Sequence, residues 1–325
     1  MRLVVSYYSL ISFAISLIVI FISTFRGPDF FPDTYNYIQY LSSNMLLERF
    51  EVEYTFKLIS SFISSLGLEY GFLFLFYTSL SIMLKLSLFS HFKDKVFIFI
   101  FFLSTSLILH DLIQIRVGLA ISFSLYSIYV FFNGKFLLSV FMYTLAVSFH
   151  YSTLILFPFL IFNYLLINKR SLIVYLYLFL PFSILSSGFI SENFLTTVVE
   201  LIFPQLYSKL ILYTENINTE SVNLFSLKLL FIYLYLILSY PHLTKMPRFE
   251  LFSVLMVIEG VILLVIFRSN LGLALRLSDI FLSFLVFVVS FIRINNQKNL
   301  LIYMLLPAIY ILINVYYNLV LLKLL

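Results

Sequence analysis

The sequence predicts an all-α, polytopic integral membrane protein, with about eleven transmembrane helices and two longer outer loops. Three observations predict it. Hydrophobic residues make up 62% of the 325, more than a soluble domain can bury, so the solvent has to be lipid. Charged residues make up only 11%, against roughly 25% in soluble proteins. Apolar runs near the roughly 20 residues that a helix needs to cross a bilayer recur along the whole chain. No polar stretch is long enough for a separate soluble domain, so residues 1–325 read as a single membrane-embedded domain.

Residues 3–25 form the first apolar run. With Met1 and Arg2 ahead of it, the run has the outline of a signal peptide. It is longer than a signal core and lacks a small-x-small cleavage site, so it reads as an uncleaved span. The first outer loop, 26–53, contains GPDFFPDTYNYIQY (27–40). Asp33 and Tyr37 lie one turn apart there, in a helix start after Pro32 that Asp33-Thr34 can cap. In segment 54–66, Phe56, Ile59, Phe62, Ile63 and Leu66 share one face, which predicts a helix lying along the interface. The remaining predicted spans are 69–90, 96–109, 117–132, 136–149, 151–167, 172–187, 224–240, 251–267, 277–292 and 300–322. The second outer loop, 188–223, holds FLTTVVELIFPQLY (194–207), amphipathic up to Pro204 and readable as a re-entrant segment or a lid.

Charge decides the orientation. The stretch 136–167 is too long for one helix and short for two. Read as a hairpin of short helices, it places Lys85, Lys93, Lys95, Lys135, Lys169, Arg170, Lys245, Arg248, Arg293 and Lys298 in inner loops. Most acids then fall outside, including Asp29, Asp33, Glu48, Glu51, Glu53, Glu69 and Asp111. This is the positive-inside pattern, and a single span would destroy it. The N-terminus is therefore expected inside and the C-terminus outside. Short helices also mean that His150, at the hairpin tip, and the 110–116 tip stop below the outer surface. Both are expected to line a recess that opens outward.

Composition excludes several chemistries. With no cysteine, disulfides, thiol catalysis and thiolate metal sites are ruled out. No HExxH or comparable spacing predicts a metal site, and no phosphate-binding glycine loop predicts a nucleotide or other cofactor. The net charge of +5 reports loop topology rather than nucleic-acid binding. No internal repeat is present, which weighs against many transporter folds.

The ionisable residues on the outer side are the candidates for function, because charge at membrane depth is costly and kept mainly where it works. Arg116 opens RVGLAISFSLYS (116–127), ahead of small residues that allow close helix packing. It sits where positive charge is not favoured for topology, and a guanidinium suits phosphate. Ser139, Tyr143, Ala146 and His150 form one helical stripe that ends in a histidine able to accept a proton near neutral pH. Arg268, Gly272, Arg276, Asp279 and Ser283 form another. There Arg276 and Asp279 can form an i,i+3 ion pair, or the two arginines, Arg268 and Arg276, can embrace a diphosphate. His110 joins the outer cluster. Glu259, in the middle of a span, is protonated, paired with an arginine or part of a proton relay, and sequence does not choose.

Four pieces of the chain carry a resemblance: PDTYNYIQY (32–40), EVEYTFKLISSFISSLGLEYGFLFLF (51–76), IRVGLAISFSLYSIYVFFNGKF (115–136) and AVSFHYSTLILFPFL (146–160). In order and spacing they resemble the EpsG-like group of Wzy-type polysaccharide polymerases. LALRLSDIF (273–281) adds an arginine-bearing outer helix start. The resemblance implies a membrane glycosyltransferase that polymerises O-antigen, capsule or exopolysaccharide repeat units at the outer face of the bacterial inner membrane. The implied partners are undecaprenyl-diphosphate-linked oligosaccharide, the lipid bilayer and a chain-length regulator. Asp33, Arg116 and His150 are its expected catalytic positions. The expected substrate contacts are Arg276, Arg268, Tyr37, His110 and Asp279. Three rival readings remain: a flippase or transporter of lipid-linked oligosaccharide, an O-acyltransferase that modifies the glycan, and a ligase moving finished chains.

Overall fold

The computed structural model describes residues 7–31, 33–42, 53–167, 221–268, 271–299 and 301–321. Every regular element among these residues is a helix, with no strand among them. The predicted span 172–187 and the segment 194–207 lie outside the described residues. Two compact units emerge, residues 1–154 with 304–325 and residues 155–303.

The first unit is built on α1 (Tyr7–Thr24), α4 (Gly71–Phe89), α5 (Lys95–Thr105), α6 (Ile115–Phe132) and α7 (Phe136–Phe149), with α13 (Leu306–Leu321) against α5. Two short helices, α2 (Thr34–Ser42) and α3 (Tyr54–Ser65), occupy the link between α1 and α4. Small residues set how closely the long helices approach. Gly71 faces the carbonyl of Thr24, and a Cβ there would lie 2.6 Å from that oxygen. Ser23 and Thr78 exchange a 2.7 Å hydrogen bond beside it. Gly134, with φ +77°, turns the chain so that α7 returns along α6. A left-handed residue of this kind favours glycine, which carries no Cβ penalty. Ser127 Oγ then donates to the Ser139 carbonyl at 2.8 Å across the α6–α7 seam.

Residues 107–113 do not form the open tip expected between two spans. They wind as a π-helix bent by 68° from α5, and Gln114 breaks the backbone before α6 starts. The bend carries Asp111 against α4. Lys85 therefore does not lie in an inner loop, as its charge suggested. It is buried in the last part of α4 with Nζ 2.7 Å from both Asp111 oxygens. Ser81 also donates to Asp111, and Ser81 and Ser122 share a 2.7 Å bond. A buried lysine that finds a carboxylate in the interior has no need to reach the surface.

α3 is amphipathic, as its spacing predicts, but with another face inward. Phe56, Ser60 and Ile63 are buried, whereas Phe62 and Leu66 are exposed. The helix leans on α2, α4 and α7, and Phe56 enters a cluster with Tyr37, Phe74 and Tyr77. That packing, rather than the widest apolar arc, sets its rotation.

In the second unit α10 (Arg248–Ile266) is almost wholly buried, against α8 (Leu156–Leu166), α9 (Leu227–Ser239), α11 (Leu271–Leu282) and α12 (Leu285–Asn295). Gly260 lets α10 approach α11, where a Cβ would lie 2.9 Å from Phe281 Cβ. The predicted span 277–292 is two helices, and the pair Ala274–Leu282 and Leu285–Asn295 is bent by 41°. Among the described residues Glu259 pairs with no arginine: its Oε2 accepts from Asn163 Nδ2 of α8 at 2.9 Å.

Four of the described helices are long and apolar enough to cross a membrane, or six if each bent pair counts as one. Shorter apolar helices at Leu10–Thr24, Phe136–Phe149, Tyr151–Leu166 and Leu227–His242 coincide with other predicted spans.

Candidate functional site

Arg116, His150 and Tyr37 come from three elements and meet around a residue that the sequence reading counted only as one more outer acid. Glu53 stands just before the first turn of α3, with extended backbone at φ −60° and ψ 140°. A residue in that position commonly caps its own helix. Its side chain turns away instead and bridges two others. Glu53 Oε1 lies 2.8 Å from His150 Nδ1, and Oε2 accepts from Arg116 Nη1. The carboxylate is 1% exposed, while the Arg116 and His150 side chains are 20% and 21% exposed. The acid is thus sealed in, and its two partners reach the edge.

Each partner is fixed by local backbone. Arg116 is the second residue of α6, immediately after the break at Gln114. His150 follows the last residue of α7 in extended conformation, φ −157° and ψ 110°. Its carbonyl accepts from Thr153 Oγ1 at 2.7 Å and Thr153 N at 3.1 Å, which starts the next turn. Thr55 Oγ1 donates to the Ser148 carbonyl and ties α3 to the end of α7. Tyr37 of α2 is buried and hydrogen-bonded to Arg116. The Arg116 guanidinium lies 5.0 Å from the Phe56 ring centre and 5.7 Å from that of Tyr37. Aromatic faces of this kind favour a cation. Tyr77 and Phe149, ring centres 5.8 Å apart, extend the aromatic wall.

The electrostatics follow from this enclosure. Burial alone raises the Glu53 carboxyl. The Arg116 charge and the His150 hydrogen bond outweigh it and hold the group well below the usual carboxylate range. Burial also pushes the Tyr37 phenol up, against the pull of Arg116. An ionised Glu53 accepts a hydrogen bond, so the proton on His150 belongs on Nδ1 and the lone pair on Nε2. The arrangement is that of an oriented base: a carboxylate holds one ring nitrogen, and the other is left to take a proton.

A second charge lies beside it. Arg26, two residues past the end of α1, is 3% exposed, and its Nη1 donates to the Leu112 carbonyl. Asp33, half-buried, acts electrostatically on both Arg26 and Tyr37. Burial brings the Arg26 guanidinium down to about 10, partly offset by Tyr37 and Asp33. Several buried polar atoms of this region have no hydrogen-bond partner within the protein: Arg26 Nε and Nη2, Thr34 Oγ1, Ser60 Oγ, Tyr77 OH and Arg116 Nε. Buried polar groups are nearly always satisfied, and an unpaired group calls for an explanation. The three on Arg26 and Arg116 lie on guanidinium groups that border the same aromatic cluster.

The other predicted residues lie elsewhere. His110 is buried in the π-helical segment, its carbonyl against Gly118. Arg268, Arg276 and Asp279 belong to the second unit. Arg268 stands at the end of α10, its carbonyl accepting from Val222 N at 2.7 Å. Arg276 is exposed on α11, and Asp279 is half-buried, with Lys228 as the cation acting on it. Among the described residues, no group of three or more His, Cys, Asp or Glu is placed to hold a metal ion.

Sequence reasoning missed Glu53 and Arg26. The signal for Arg26 was present, since the topology expected from the sequence puts it at the outer end of the first span, where the positive-inside rule disfavours a cation. The same logic had marked Arg116. For Glu53 the signal was weak: an acid just before an amphipathic helix reads as an ordinary outer-loop charge.

No curated protein and no solved structure matches the chain. A family model does match, over residues 9–323, nearly the whole length. The elements that meet around Glu53 all fall within that match, and the chain belongs to the EpsG family, a family of Wzy-like polysaccharide polymerases.

Proposed function

We propose that this protein polymerises lipid-linked glycan repeat units at the outer face of the bacterial inner membrane. In this reaction the growing chain leaves undecaprenyl diphosphate and passes to a hydroxyl of the next lipid-linked unit. The observation that carries the reading is the buried Glu53 carboxylate shared by His150 and Arg116, in a chain of this family.

The chemistry is a displacement at the anomeric carbon. A sugar oxygen forms the new bond to that carbon, and the bond to the diphosphate oxygen breaks with its electron pair. His150 Nε2 takes the proton of the attacking hydroxyl, because Glu53 holds Nδ1–H and stabilises the imidazolium that forms. Asp33 is the second choice as base. Arg116 keeps Glu53 ionised and offers its unpartnered Nε–H to charge that develops on the leaving group. Tyr37 orients Arg116. His110 supports the 107–113 turn behind it. Arg276 and Arg268 are assigned to binding the anionic part of a substrate, and Asp279 to accepting from a substrate hydroxyl. Eleven crossings complete the proposed topology, with 136–167 as a hairpin of short helices. No cofactor is assigned, and a chain-length regulator is the expected protein partner.

The test is the glycan profile of a strain lacking the gene, complemented with wild type, Arg116→Ala and His150→Ala. Single lipid-linked repeat units should persist while long chains vanish. His150→Ala should lower polymer formation by roughly 10²–10⁴-fold, the usual contribution of a positioned base, with protein level unchanged. Long chains that remain but lose acyl groups would identify an acyltransferase. Units trapped on the inner face would identify a flippase.

A further inference from the structure

The geometry points to Arg26 as a second anion-binding residue of this site, taking the diphosphate of the lipid carrier through the Nε–Nη2 edge of its guanidinium. The inference rests on the polymerase reading for the identity of the diphosphate, but its geometry stands apart from it. A guanidinium has two faces and a rim of five N–H donors. One face of Arg26 stacks on the Phe74 ring, 3.4 Å from its centre, and Phe31 lies 5.2 Å away. Stacking leaves the rim free. On the rim, Nη1 is used by the Leu112 carbonyl. Nε and Nη2 have no hydrogen-bond partner, although the side chain is 3% exposed. Those two donors point the same way from one edge, the fork that receives two oxygens of a phosphate at once.

Charge balance supports the same conclusion. Arg116 is already bound to the Glu53 carboxylate, so the pair offers a leaving diphosphate little net positive charge. Among the described residues Arg26 has no hydrogen-bonded carboxylate, and Asp33 acts on it electrostatically. The two arginines border one wall: Arg26 stacks on Phe74, the Phe74 and Tyr37 ring centres are 5.9 Å apart, and Arg116 is 5.7 Å from that of Tyr37. Phe31 belongs to a turn closed by Phe30 N to the Gly27 carbonyl at 3.2 Å and Thr34 N to the Phe31 carbonyl at 3.0 Å. Displacing that ring uncovers one side of the guanidinium without breaking a helix.

The experiment measures binding of farnesyl diphosphate, farnesyl monophosphate and galacturonate to the full-length protein in lipid nanodiscs. Arg26→Lys keeps the charge and loses the fork. It should weaken farnesyl diphosphate by roughly tenfold or more, the scale of a lost charge-assisted pair, and leave the melting temperature near that of wild type. Phe31→Ala, which leaves Arg26 intact, should speed diphosphate association. Wild-type diphosphate affinity in a folded Arg26→Lys protein overturns the inference. So does unchanged association in Phe31→Ala, should Arg26→Lys fail to fold. Preference for galacturonate over farnesyl diphosphate also overturns it, in favour of an acidic-sugar subsite. If Arg26-dependent diphosphate binding holds while gene deletion leaves polymer intact, the polymerase reading falls and this site stands. The reverse pair of results does the opposite.

Discussion

Glu53 shows how much one residue organises. Its carboxylate is buried, ionised and answered by a guanidinium and an imidazole. Removing one member of a buried charge pair leaves the other uncompensated, at a cost of about 3–5 kcal/mol. Glu53→Gln should therefore lower the melting temperature and also lower polymer formation, because His150 loses the group that fixes its tautomer. The pH dependence has a definite sign. Glu53 titrates lower when folded than when unfolded, so its contribution is complete above the unfolded value of about 4.3. It is lost as pH falls through the lower folded value. Melting curves of wild type and Glu53→Gln should differ fully at pH 7 and draw together only below about pH 4. A gap that closed between pH 7 and 6 would contradict the assignment. Sequence had marked Arg116 and His150 from charge placement and helical stripes. It did not mark their shared partner, because the pairing joins residues 63 and 97 positions apart, and periodicity does not report contacts at that range.

Among the elements, the bent pair at 95–113 decides most. The π-helical turn brings Asp111 to Lys85, and Gly118 permits the approach, since a Cβ there would overlap the His110 carbonyl. Gly118→Ala should destabilise by about 3 kcal/mol, the scale of overpacking in a close-packed interior, read as a lower melting temperature of the purified protein. Lys85→Met leaves Asp111 as a lone buried charge and should be more damaging than the double change Lys85→Met with Asp111→Leu. Replacing a whole buried pair by apolar groups is often neutral. If the double variant proved no better than the single, Lys85 would be serving something other than Asp111. The helices themselves were legible, because long apolar runs with polar breaks are a strong signal in lipid. Two assignments were not. Lys85 carries the mark of an inner loop, and only the bend, invisible to hydropathy, reveals its partner. The rotation of α3 likewise depends on the rings of α2 and α4, not on its own apolar arc.

For the whole molecule, the absence of cysteine makes topology directly measurable. Single cysteines placed at Asp29 and Glu69 should react with a membrane-impermeant maleimide applied from outside. Cysteines at Lys93, Gly134 and Lys298 should react only after the membrane is opened. Reversed labelling downstream of residue 167 would show that 136–167 crosses once and would undo the eleven-crossing proposal. By itself the sequence determined that the chain lives in lipid, that it is helical and where most apolar helices run, and it marked Arg116 and His150. Those properties follow from composition and local spacing, which act within one helix and leave their trace in consecutive residues. Only the tertiary structure decided that Glu53 joins Arg116 to His150, that Asp111 satisfies Lys85 and that Arg26 stacks with one edge unused. These depend on which faces of distant helices meet, and in a lipid solvent that is settled by close packing of small residues and by the cost of leaving charge unpaired.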